Sequence, residues 1–147
     1  MRKFEVISKY QDSDVTIPKR ATDSSAGYDL SCVEDITFEP GEIRMVPTGL
    51  KVMMPKSEAL FIFARSSLSI KKGLMMSNSV GVVDADYYGN KDNEGHLMVS
   101  LINVRNEPVT IKKGERVAQG IFLKYEKTTD DETEGTVRLG GFGSSGH

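Results

Sequence analysis

Short apolar segments recur along this chain, each too brief for a helix of ordinary length and each cut off by turn residues. They run over Phe4–Ile7, Ile43–Val46, Leu50–Met54, Ala59–Ala64, Leu97–Val104 and Val117–Tyr125. Turn signals such as Glu39-Pro40-Gly41-Glu42 and Lys112-Lys113-Gly114-Glu115 separate them. Glycine supplies the backbone freedom, and proline the fixed φ, that tight reversals need. No window of a dozen residues keeps a helical repeat; the best helix candidate is a turn or two near Ser67–Lys72. This rhythm predicts an all-β sandwich or barrel of short strands. In Leu60-Phe61-Ile62-Phe63 neither alternate set is polar, so both faces of that strand need cover. In a chain this small, a neighbouring subunit is one possible cover.

Composition narrows the function classes. A length of 147 residues fits one domain, and 38% hydrophobic with 27% charged residues fits a globular chain. A net charge of -2 leaves no basic footprint for nucleic acid, so a polyanionic partner would have to be small and locally bound. A single cysteine, Cys32, excludes an internal disulfide, fits a reducing compartment and reads as a small buried hydrophobe. No run approaches the ~20 apolar residues of a membrane helix, and Met1-Arg2-Lys3-Phe4-Glu5 opens no signal peptide. The expected location is the cytoplasm, with no membrane partner. Only His96 and His147 are present, which argues against Ser-His-Asp catalysis and against a Cys/His zinc site. No Gly-x4-Gly-Lys-Ser/Thr occurs, so this is no P-loop NTPase.

Chemistry concentrates in five stretches. In Gly81-Val82-Val83-Asp84-Ala85-Asp86-Tyr87-Tyr88-Gly89, two carboxylates and two rings stand between glycines, directly after an apolar run that begins beyond Asn78-Ser79-Val80. An acid beside a ring can act as a base next to a stacking platform, yet the same residues also suit a hairpin end. Asp23 to Leu30 sets Asp29 between an aromatic and an apolar residue. Arg65-Ser66-Ser67 sits at a strand end, and Glu115 to Ile121 starts a strand with Gln119 opposed to its apolar neighbours. The chain closes on Arg138-Leu139-Gly140-Gly141-Phe142-Gly143-Ser144-Ser145-Gly146, a frayed terminus by composition, although successive Gly and Ser amides can also curl around an anion. Carboxylates, arginines, hydroxyls, an amide and Gly-rich backbone together suit a phosphate ester with a hard metal such as Mg²⁺.

In this order the five stretches resemble the motifs of the trimeric dUTP pyrophosphatases (dUTPases), from about Val15 to Gly146. The resemblance implies a homotrimer of jelly-roll subunits, here a body of residues 1–126 and a flexible tail of 127–147 that closes over an active site. It implies hydrolysis of dUTP to dUMP and pyrophosphate with Mg²⁺, which limits uracil in DNA and supplies dUMP for thymidylate synthesis. By the same resemblance Asp84 is the base that activates water for attack at the α-phosphate. Tyr87 lies against the deoxyribose and leaves no room for a 2′-hydroxyl. Asn78 and nearby hairpin backbone read the uracil edge, and Gly81, Val83 and Met98 complete that part of the substrate pocket. Arg65, Ser66, Ser67 and Gln119 hold the phosphates, and Asp29 orders metal-bound water as an outer-sphere group. Arg138, Phe142, Gly143, Ser144 and Ser145 close over the ligand. Each site draws on three subunits.

Departures and rivals remain. Only Leu139 separates Arg138 from Gly-Gly-Phe-Gly where the family has two residues, and Ser67 stands where glycine is commoner. The insertion Asn90-Lys91-Asp92-Asn93-Glu94-Gly95 reads as a longer exposed hairpin loop, His96 as a loop-edge residue, Met53-Met54 and Met75-Met76 as core filler, and Lys71-Lys72 as a solvated face. A dCTP deaminase of the same fold also carries Arg-Ser-Ser, but it needs a glutamate base that the stretch Asn78 to Gly89 lacks. A regulatory, protein-binding trimer using the 90–95 loop is the reading from a different class.

Overall fold

In Met98-Val99-Ser100-Leu101-Ile102-Asn103 every second residue is buried, the mark of a strand with one face on a core. The computed structural model describes residues 1–135, and this two-residue period organises most of them. In chain order the strands are β1 (Lys3–Val6), β2 (Tyr28–Ser31), β3 (Ile36–Phe38), β4 (Ile43–Pro47), β5 (Leu50–Met53) and β6 (Glu58–Ala64). A seven-residue helix, α1 (Ser66–Lys72), comes next. Then come β7 (Leu74–Met76), β8 (Gly81–Asp84), β9 (Met98–Asn103), β10 (Val109–Ile111) and β11 (Arg116–Lys124).

All strand pairs are antiparallel. They form a four-stranded sheet in the order β2-β11-β6-β8, a three-stranded sheet β4-β9-β7, and the two-stranded pairs β1-β5 and β10-β3. One continuous apolar cluster joins them, with Leu30, Phe38, Val46, Leu50, Leu60, Leu74, Val99, Leu101 and Ile111 essentially without exposed surface. Each such side chain contributes about 1.5–3 kcal/mol through burial. The expected all-β jelly-roll class is what the chain adopts.

The turn chemistry matches the sequence closely. Glu42 N–H bonds the Glu39 carbonyl, and the Glu42 carboxylate returns to accept the Glu39 N–H. Lys112 to Glu115 repeats the device, with the Glu115 carboxylate accepting from the Lys112 N–H. Asn103, fully buried at the end of β9, donates to the carbonyls of Phe38 and Glu107 and accepts from Arg105 N–H. Its amide thereby ties three segments at once, which is what makes its burial tolerable.

Four sequence readings change or sharpen. The 90–95 segment is not simply an exposed loop, because Asn90 and Gly95 are buried and Glu94 reaches Ser8 and Lys51. His96 ends that loop but is not exposed there: it is 8% exposed, and its Nε2 accepts the Gly49 N–H. Met75 is half exposed rather than core, since its side of β7 faces away from the cluster. Lys72 is not merely solvated, for its Nζ donates to the Thr110 carbonyl and lies 3.5 Å from Glu115. No helix among the described residues is long and apolar enough to cross a membrane.

Burial, with Lys9 nearby, pushes the His96 imidazole down to about 4, although Glu34 and Glu94 act in the opposite direction. A neutral His96 is required for it to accept from Gly49. The unfolded chain binds a proton at about pH 6.5, so stability is fully present above that and declines as pH falls toward the folded value. Between pH 7 and pH 5 the protein should lose about 1–2 kcal/mol through this residue. His96→Gln, which keeps an acceptor, should flatten the slope; denaturant midpoints at the two pH values give both numbers.

Candidate active site

Two clusters of the expected residues form, and they lie apart. The first gathers on β2, β11 and the entry to α1. Asp29 pairs with Gln119 across the β2–β11 ladder, and Gln119 pairs with Phe63 on β6. One carboxylate oxygen of Asp29 lies 3.7 Å from Arg65 Nε, and the other accepts from Arg116 at 3.4 Å. Arg65 is held in extended backbone (φ -76, ψ 141) immediately before α1, which sets Ser66 and Ser67 in the helix's first turn. No acid occupies that turn. Gly27 leaves room for the Gln119 carboxamide, since a Cβ there would run into the amide's oxygen. Arg116 is a member of this cluster that sequence reading left without a role; a register shift between Arg116 and Ala118 places it there.

The second cluster is the tight connection from β7 to β8, whose strands pair with β9 and β6 respectively, together with the turn beyond β8. Asp84 ends β8, exposed, and opens a 3₁₀ turn over Ala85–Tyr87. Its neighbourhood is an open cleft of about 640 Å³ lined by Lys56, Glu58, Asp84, Asp86, Tyr88 and Lys127, among others. Asn78 is exposed at the tip of that connection, where Ser79 adopts φ 64. Gly81 packs on Ile62 and would meet the Asn78 amide if it bore a Cβ. Val83 is buried and Met98 half-buried at the start of β9. Tyr87 is not an open stacking platform. It is only 4% exposed, and its hydroxyl donates to the His96 carbonyl.

Register gives the separation. Asp84 stands opposite Ala59, and Gln119 opposite Phe63, on the same face of the sheet but flanking β6 on opposite sides. Four residues of strand and two strand spacings amount to about 13 Å along and about 10 Å across. No single phosphorus atom can touch both groups of one chain. Among the described residues no group of three or more His, Cys, Asp or Glu side chains forms a metal cage. Asp29, alone and flanked by guanidinium groups, suits a cation held chiefly by a ligand's own oxygens. Arg138, Phe142, Gly143, Ser144 and Ser145 lie outside the described residues.

Comparison with known proteins resolves the family. A family model described as dUTPase matches residues 13–146. A deoxyuridine 5'-triphosphate nucleotidohydrolase of Lactococcus lactis is 50% identical over 147 residues, spanning 99% of this chain and 98% of that protein. The chain belongs to the dUTPase family. A second such protein, from Desulfitobacterium hafniense, is 39% identical over 151 residues, 98% of this chain and 96% of that one. The crystal structure of dUTPase from Streptococcus mutans superposes with a TM-score of 0.82 at 44% identity, covering 86% of this chain and 98% of that chain. The Staphylococcus bacteriophage 80alpha dUTPase shares the fold, with a TM-score of 0.73 at 20% identity over 91% of this chain and 96% of that chain.

Two glycines separate soft from hard obstacles. Gly27→Ala should cost about 1–2 kcal/mol, because the far end of a flexible Gln119 side chain can swing away. Gly95→Ala should be far worse. It has φ +88, and a Cβ there would lie 2.5 Å from the Tyr87 carbonyl oxygen, which is main chain. Thermal melts of the two variants should therefore differ by roughly 10 °C or more.

Proposed function

We propose that the protein hydrolyses dUTP to dUMP and pyrophosphate at sites shared between copies of the chain. The exposed Asp84 carboxylate, at the end of β8 about 16 Å from the Arg65–Gln119 cluster of its own chain, carries this reading. An acid that activates water and groups that hold phosphates have to meet at one phosphorus. In one chain they do not, so the Asp84 strand end of one copy completes the phosphate cluster of another. The outer face of β4-β9-β7 supports association: Ile43, Met45 and Met75 lie 41–56% exposed beside half-buried Met98 and Ile102. A homotrimer is the assembly proposed, in keeping with the family resemblance.

In the mechanism, Asp84 accepts a proton from a water as its oxygen bonds to the α-phosphorus. The bond from that phosphorus to the α–β bridging oxygen breaks, and pyrophosphate leaves with the electron pair. Arg65, Ser66, Ser67 and Gln119 hold the phosphate oxygens, where cationic and N–H donors favour the charge that develops on the leaving group. Mg²⁺, when bound, neutralises phosphate charge and orients the chain of phosphates. Asp29 is the group that would hold its water shell; with Arg65 and Arg116 beside it, it supplies one carboxylate rather than a cage. Tyr87, rigid and nearly enclosed, presents a wall to the sugar, and a wall that cannot yield is what excludes a 2′-hydroxyl. Asn78 and the backbone between β7 and β8, with Gly81, Val83 and Met98, line the base. Arg138, Phe142 and the amides of 143–145 close the site, which excludes water and strengthens every charge interaction inside.

Incubation with dUTP, dCTP, dTTP and UTP plus Mg²⁺ tests the substrate. dUTP alone should turn over rapidly, to dUMP and pyrophosphate; dUTP made from dCTP would point to deaminase chemistry instead. Asp84→Asn should lower turnover roughly 10²–10⁴-fold while binding of a non-hydrolysable dUTP analogue largely survives.

Sharing is tested by mixing two inactive parents, Asp84→Ala and a chain lacking residues 136–147. In a closed trimer a site works only when its Asp84 donor lacks the tail and its tail donor lacks Asp84. Random equal mixing should restore about a quarter of all sites. Turnover no greater than that of the parents would place Asp84 and the tail of each site on one chain.

A further inference from the structure

Tyr87 is held by a chain of hydrogen bonds whose directions can be read off in order. Asn93 Oδ1 accepts the Gly95 N–H at 3.0 Å, which fixes that end of the amide as the acceptor. Its other end, Nδ2, therefore donates, and it does so to the Tyr87 hydroxyl at 2.9 Å. A phenol has one hydrogen, and with its oxygen accepting from Asn93 that hydrogen goes to the His96 carbonyl at 2.7 Å. Each donor in this relay has an acceptor, and none can reverse without orphaning a buried group.

The segment carrying Asn93 is itself clamped. Gly89 N–H bonds the Glu94 carbonyl, Asn90 N–H the Tyr87 carbonyl, and His96 N–H the Asn93 carbonyl. Asn90, 6% exposed, accepts the Asp92 N–H on its side-chain oxygen. Glu94 (φ 62) accepts from Ser8 N–H and hydroxyl and from Lys51, while Gly95 (φ 88) packs against the Tyr87 carbonyl. Unusual backbone at two adjacent positions is kept because contacts on both sides over-determine it.

We infer that the Asn90–His96 loop is a positioning device for sugar selection, with Asn93 the positioning residue that holds Tyr87 against the deoxyribose through its hydroxyl. This rests on the proposed role of Tyr87 as the sugar wall. Asn93 does not touch substrate. It acts by removing the ring's freedom to retreat from a 2′-hydroxyl.

The test compares kcat/KM for dUTP with that for UTP in the assembled full-length protein. Asn93→Asp keeps the acceptor for Gly95 but sets a charged acceptor where Tyr87 had a donor, so the single phenol hydrogen can no longer serve the His96 carbonyl without leaving two oxygens opposed; Asn93→Ala loses both contacts. Each should lower the dUTP-to-UTP preference about 3- to 10-fold, mainly by raising UTP turnover. In a Tyr87→Phe background, which lacks the hydroxyl, Asn93→Asp should change the preference by less than about 2-fold, because the partner of its donor is already gone. A third variant, Tyr87→Leu, separates the two readings. If Tyr87→Leu lowers the preference and Asn93→Asp does not, even where Asn93→Ala lowers the melting temperature, the loop is merely structural and the inference falls while the sugar wall stands. If Tyr87→Leu also leaves the preference unchanged, the sugar wall is wrong and the inference falls with it.

Discussion

Strand β6 is apolar on both faces, and both faces have to leave water. Leu60 and Ile62 do so inward, where Val83 and the central cluster meet them. Phe61 and Phe63 point the other way and remain only half-buried, with Val82 and Leu123 more exposed beside them. Asp84, Gln119 and Asp29 stand on that same outer face. The surface that carries the chemistry is therefore also the surface one chain leaves unfinished. Covering the rings and completing the site are one event under the shared-site reading, which couples activity to assembly without a separate switch.

The phosphate cluster shows how weak surface pairs become useful together. A single exposed ion pair is worth little, because water screens it and ordering long side chains opposes it. Here two guanidinium groups share one carboxylate, and that carboxylate is fixed by the ladder to Gln119. The arrangement holds Arg65 and Arg116 poised near one point with two positive charges against one negative. Under the proposed function, an incoming polyanion would find these donors already oriented, and reorganisation on binding would be small.

The longer strands are legible in the sequence because they are sustained apolar runs bounded by turn residues, and β9 adds a clean two-residue period. Short ones such as β3 and β10 are not: three residues give no period, and only their pairing through Ile36↔Ile111 and the Thr37–Thr110 hydroxyl contact defines them. The motif stretches are legible as residue types, yet the division of the four described ones into two distant clusters is not, since it depends on strand order across β6. Tyr87 is open to misreading for a related reason. An aromatic among glycines and acids suggests a displayed ring, whereas Tyr87 belongs to the central apolar cluster and its hydroxyl is engaged by Asn93 and the His96 carbonyl, residues that composition marks as loop. Polar residues whose partners are main-chain atoms leave little trace in a linear pattern.

Strand β11 is the last strand among the described residues yet lies inside its sheet, between β2 and β6. During synthesis both neighbours emerge with their facing edges bare, and nothing before Arg116 can fill the gap. The sheet therefore cannot close until β11 is free, long after its other strands β2, β6 and β8 are available. Unpaired edges held that long invite contact with other nascent chains. Arg116 and Gln119 travel on the strand that ends the exposure. A chain cut short before it keeps Asp29 and Arg65 but lacks Arg116 and Gln119, and it leaves the edges of β2 and β6 bare together.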